Sequence, residues 1–211
     1  LENDAPDALA RTLVSKSPEQ ISATMRFLEK EGPGAAADLR TAATHRLMEG
    51  AGSPAGKGLL QPSEVARILT AKDKQLAALH GEGSKDLIKI REVADVARKM
   101  TQSNISWPNL IARMGTGTGA GSAIGWYAGG GKGAALGGAI GAGAGLKDAW
   151  ASIVDRRNLF KAISDPEGRE LFLKLVRPKT AFGKNIGAGE LIQRLTNIIN
   201  SPSDLSTDEV D

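Results

Sequence analysis

The chain contains no cysteine. That removes disulfides and thiolate metal ligands, and leaves the redox compartment open. Aromatic residues are scarce, at 4%. A core drawn from the 41% hydrophobic residues must therefore be aliphatic and rich in alanine. Net charge is also low, +3 over 211 residues. A dedicated DNA-binding domain would instead gather basic side chains on one face. No window alternates apolar and polar residues long enough to suggest a sheet. Histidine occurs only twice, as His45 and His80, in separate helical segments and outside any H-E-x-x-H pattern. Both are expected to be ordinary surface or helix-end residues. There is no G-x-S-x-G and no acidic cluster with metal-loop spacing. The expectation is a non-enzymatic chain with no catalytic residue, metal site or cofactor. Its first residue is Leu1, as expected of a fragment or processed product, so a missing signal peptide excludes little. Mean hydropathy is −0.20, an average over a very uneven chain.

What is present is mostly helix-forming. Residues 1–49 read as an N-terminal helical segment, with a weak first helix ending near Lys16. "SPEQ" then supplies a start signal: Ser17 as N-cap, Pro18 in the first turn and Gln20 closing a capping box. Ile21, Met25 and Leu28 fall on one face, and "EGPG" ends that helix at 31–34. A third helix is expected over 35–49. Residues 50–62, "GAGSPAGKGLLQP", read as a flexible linker. Residues 63–106 read as an antiparallel pair of longer helices. Val65, Ile68, Leu69, Leu76 and Leu79 repeat in the first, and Leu87, Ile90, Val93 and Met100 in the second. Lys72, Lys74, Lys85, Lys89, Arg91, Arg98 and Lys99 lie on their outer faces, as a solvated surface or as a site for an anionic partner such as DNA or lipid headgroups. C-terminal helices follow over 155–200, where "DPEG" repeats the cap logic at Asp165 and Pro166. Glu167 and Glu170 share a turn there, which the helix dipole favours without any catalytic purpose. Residues 201–211 read as an acidic disordered tail.

Between these parts lies the most unusual stretch, residues 107–154. Gly117, Gly121, Gly125, Gly129, Gly133, Gly137, Gly141 and Gly145 stand four apart without a gap. A phosphate loop is excluded, because Lys132 is followed by Gly133 and Trp126 occupies the first glycine position of the motif. The dinucleotide fingerprint fails at Ser122 and Ile124. A flexible linker would pair glycine with polar residues, whereas Ala, Ile, Leu, Trp and Tyr stand here. The remaining pattern is a G-x-x-x-G surface, where missing side chains let two helix backbones approach. A four-residue stripe drifts about 40° per step around a helix, so one rod could not keep it facing one neighbour. The natural break is "GGGKG" at 129–133. The expected fold class is therefore all-α: short amphipathic helices with a central glycine-zipper helical hairpin.

Each arm is marginal as a membrane span, since one carries Arg113 and the other soon meets Lys147 and Asp148. In a hairpin Lys132 falls at the wet tip, and Trp107, Trp126, Tyr127 and Trp150 fall at arm ends, the positions of an interfacial aromatic belt. The competing expectation is that the tryptophans cap a core.

The string of capped short helices over Ser17–Ala51, followed by the glycine/alanine tract Gly115–Gly145, resembles segments of the internal virion proteins of short-tailed bacteriophages, also called DNA-ejection proteins. The likeness covers about a third of the chain, in style and not through an invariant motif. It implies a protein of the virion interior that passes into the host periplasm and inner membrane. There it would form a homo-oligomer, join other virion proteins and build a conduit for the genome, with non-specific contact to viral DNA. The lytic transglycosylase activity of some members is not implied, because nothing here resembles its glutamate-centred motif. A secreted bacterial pore-forming toxin or effector, or a purely structural virion component, would carry the same tract.

Overall fold

The computed structural model describes residues 5–50, 60–107, 144–176 and 188–201. Within them the chain forms ten α-helices and no strand. They are α1 (Ala5–Val14), α2 (Pro18–Glu31), α3 (Pro33–Gly50), α4 (Pro62–Ala71), α5 (Asp73–His80), α6 (Lys85–Gln102), α7 (Ala144–Ile153), α8 (Arg156–Ser164), α9 (Pro166–Val176) and α10 (Ala188–Asn200). The all-α expectation holds for these residues; the glycine-zipper hairpin falls almost wholly outside them.

Local chemistry sets most boundaries. Ser17 caps α2 as expected: its hydroxyl accepts from Gln20 N, and the Gln20 side chain accepts from Ser17 N at 3.2 Å. Helix α2 stops at Glu31, but α3 begins at Pro33, two residues earlier than expected. Proline in the first turn has no N–H to waste and a preset φ. After α5 the chain turns through Gly81 and Gly83, both at positive φ, where a side chain would be strained. Ser84 then caps α6 by accepting from Leu87 N at 3.1 Å.

The first of the two long helices expected over 63–106 is in fact two, α4 and α5. The break is at Lys72, with φ −99° and ψ 4°. Arg91 on α6 grips Asp73 with two hydrogen bonds, 2.8 and 2.9 Å, which fixes where α5 starts. The break turns the Leu76 and Leu79 face of α5 onto α2, while α4 packs along α6. Arg91 meets Asp73 and Arg98 meets Thr70, the reversed partner order of an antiparallel pair.

One core joins all the helices. It runs from Ala10 and Leu13 of α1, through Ile68, Leu76, Leu87 and Val93, to Leu195 and Ile199 of α10. Helix α1 packs on α3, α2 on α3 and α5, α8 on α3 and α9, and α10 on α7 and α9. As the composition requires, alanine and aliphatic residues dominate it, with Ala36, Ala43, Ala97 and Ala162 all buried. Among the described residues the buried aromatics are Trp107, Trp150, Phe160 and Phe172, while Phe27 of α2 is exposed. Helices α8 and α9 meet at an abrupt corner. Asp165 Oδ1 accepts from Gly168 N at 2.6 Å, and a Cβ on Gly168 would lie 2.7 Å from the Ala162 carbonyl oxygen.

Candidate functional site: a tryptophan clamp at the base of the glycine tract

The glycine tract is flanked by two tryptophans, Trp107 before it and Trp150 after it. The route to Trp107 is set by the end of α6. Asn104 has φ 53°, Asn104 N donates to Thr101 O, and Ile105 N donates to Met100 O at 2.8 Å. This pair of bonds around a left-handed residue is the Schellman ending. It reverses the chain and drops Trp107 into the core, 1% exposed. Trp150, on α7, is equally buried, and its Nε1 donates to the Trp107 carbonyl at 2.8 Å.

Phe172 of α9 completes the clamp. Its ring meets Trp107 edge-on, with centroids 5.5 Å apart and planes at 66°. It stacks nearly parallel on Trp150, at 6.1 Å and 8°. Both are favoured geometries for aromatic quadrupoles. Just beyond α7, Leu60 N donates to Val154 O, and Arg156 reaches Glu64 at 3.0 Å while lying over the Phe160 ring. The last turn of α7 is thereby tied to the start of α4.

Charge stitches α6 to α9 beside the clamp. Arg169, fully buried, donates to Asp86 Oδ1 at 2.8 Å and to the Ile163 carbonyl at 3.1 Å. Lys89 and Lys174 both hold Glu170, and together they push its carboxyl down to about 2. Arg194 of α10 reaches Glu167. Of the basic residues read as one outer face, Lys89, Arg91 and Arg98 are thus engaged with Glu170, Asp73 and Glu82, and Asp95.

Gly117, Gly121, Gly125, Gly129, Gly133, Gly137 and Gly141, together with Trp126, Tyr127 and Lys132, lie outside the described residues. Gly145 falls in the first turn of α7. Trp107 and Trp150, read from the sequence as interfacial, are corrected here: both are core residues, packed on Phe172 and joined to each other. Trp150 satisfies its indole N–H on a protein carbonyl instead of at an aqueous boundary, whereas Trp107 Nε1 is buried without a hydrogen-bond partner and its ring is held by packing on Phe172. His80 stands at a helix end, as expected. It ends α5, contacts Thr44 and lies in the field of Arg40, Asp86 and Arg169.

Among the described residues no helix is long and apolar enough to cross a membrane, and no group of His, Asp and Glu is arranged to hold a metal. No protein-family model matches the chain, and neither a curated protein nor a solved structure is similar to it.

Proposed function

We propose that the chain is a non-enzymatic helical scaffold that presents a glycine-zipper hairpin for close helix packing. In this reading it acts as an internal virion protein that oligomerises with itself and with other virion proteins. Delivered into the host envelope, it helps line a conduit for the phage genome at the inner membrane. The tract between Trp107 and Trp150 supplies the packing or membrane-facing surface.

The observation that carries this reading is the bond between Trp150 Nε1 and the Trp107 carbonyl, which brings together positions 43 residues apart. Two arms that leave and return need a base where their ends meet. One uninterrupted helix over the same residues would hold those ends about 65 Å apart. A core locked by three aromatic rings also lets the scaffold keep its shape while the tract changes partner. Small, weakly apolar arms suit a protein that stays soluble in one setting and meets lipid in another, because strongly hydrophobic spans would aggregate first.

Flotation and dye release with phosphatidylethanolamine/phosphatidylglycerol vesicles test the reading. The full chain should bind and release dye, and replacing Gly121, Gly125, Gly137 and Gly141 by leucine should abolish release while the helical CD signal of the scaffold persists. Absence of the chain from purified virions by mass spectrometry, or release unaffected by the four leucines, would overturn it.

A further inference from the structure

The polar cluster where α3, α5, α6 and α9 meet contains a hydrogen-bond relation that fixes the state of His80. A hydroxyl has one proton to give. Thr44 gives its proton to the Arg40 carbonyl at 2.8 Å. Toward His80 Nε2, 2.9 Å away, Thr44 can then act only as acceptor. The neutral ring therefore carries its proton on Nε2. Its Nδ1 is a bare acceptor, sealed from solvent and without a hydrogen-bond partner.

The surroundings oppose a second proton on that ring. Arg40 of α3 donates to the Leu79 carbonyl beside it at 3.0 Å and is bound on its outer side by Glu29 of α2. Arg169 of α9 also acts on the ring, its charge shared with Asp86 of α6 at 2.8 Å. Asp86, the one anion among the charges acting directly on the ring, is thus already held by Arg169. Helix α4 contributes no charge to the ring, and the acidic residues nearest in sequence are committed elsewhere: Glu82 and Asp73 both bind Arg91. Burial first, then Arg169 and Arg40, hold the imidazole down at about 4, with Asp86 the single opposing influence.

We infer that His80 is an acid-sensitive latch: neutral, it lets α5 dock on α3 and α6, and protonation at Nδ1 adds a third cation to a cluster that already holds Arg40 and Arg169 and undocks them. The inference needs only the described helices and does not depend on the conduit reading. Its reach toward the clamp follows from α9, where Arg169 and Phe172 lie one turn apart.

The test uses the full chain, whose two histidines can be separated by His45→Gln. In that variant the His80 ring should show the Nε2–H tautomer by nitrogen chemical shift and protonate far below 6.5. Urea unfolding followed by CD should show the unfolding constant rising about tenfold per pH unit between 6.5 and 4 relative to His80→Gln, or about 300-fold in all. His45→Gln should keep that His80-dependent slope. Equal slopes with and without His80, an Nδ1–H tautomer, or protonation near 6.5 in the folded chain would overturn the latch. If His80→Gln does not fold, the tautomer and titration of His80 in the His45→Gln chain decide the matter.

Discussion

The indole Nε1 of Trp150 donates to the backbone carbonyl of Trp107 over 2.8 Å, in a site closed to solvent. A buried carbonyl left unpaired costs about 1–3 kcal/mol. Trp150→Phe keeps a ring to stack on Phe172 but removes the donor, so it should destabilise the fold by about that amount. Phe172→Ala empties the space between the two indoles and should cost about 3–5 kcal/mol. Because all three side chains share one contact, the double variant should lose less than the sum. Urea midpoints of the three variants check this, and strict additivity would show that the rings do not act as a unit.

Gly168 and Gly34 should respond to alanine in opposite directions. A Cβ on Gly168 meets the Ala162 carbonyl oxygen at 2.7 Å, and backbone at a helix corner has nowhere to retreat. Gly168→Ala should cost more than about 2 kcal/mol through overpacking. Gly34 lies in the first turn of α3 with open space where its Cβ would be. Gly34→Ala should be neutral or stabilise by up to about 1 kcal/mol. Thermal unfolding of the pair provides an internal control, since the substitution is chemically identical.

How much of this was legible beforehand depends on how far apart the deciding atoms lie in the chain. Ser17, Pro18 and Gln20 act on one another within a single turn, so their spacing alone announces the start of α2. The periodic apolar residues of α6 and α10 are equally local. The break at Lys72 was not legible, because Arg91, which fixes Asp73, stands 18 residues away. Trp107 and Trp150 were legible as residues with an apolar body and a polar tip, which suits a membrane interface and a buried clamp alike. Only the carbonyl found 43 positions away separates those cases. His80 carried no signal at all, since Thr44 and Arg169 come from distant helices and form no motif with it.

The two serine caps should be worth similar amounts. Ser17 and Ser84 each accept from a backbone N–H three residues on, at 3.4 and 3.1 Å. Replacing either by alanine orphans one donor in the first turn of α2 or α6 and should cost about 1 kcal/mol. Glycine at either site should cost only a few tenths, because water can then reach the freed N–H. Chemical denaturation of the four variants tests both statements, and equal losses for alanine and glycine would contradict the second.

Acid should uncover the contribution of Asp7. Its carboxylate takes two hydrogen bonds from Arg46 of α3, at 2.7 and 2.6 Å, and one from Arg11. The Arg46 hydrogen bonds, in spite of partial burial, hold its carboxyl below the ordinary 3.8. The folded chain therefore binds the Asp7 proton less readily than the unfolded chain does. The stabilisation is fully present above about 3.8 and is lost as pH falls through the lower, folded value. Asp7→Asn should cost about 1 kcal/mol at neutral pH, where the charge-assisted bonds are replaced by neutral ones. Toward pH 2 the difference between the variant and the parent should shrink, since the unfolded parent takes up the Asp7 proton more readily than the folded one. Unfolding free energies of both chains at pH 7, 4 and 2 measure this, and a gap that stays constant with acid would mean that the pair on α1 and α3 does not stabilise the fold through its charge.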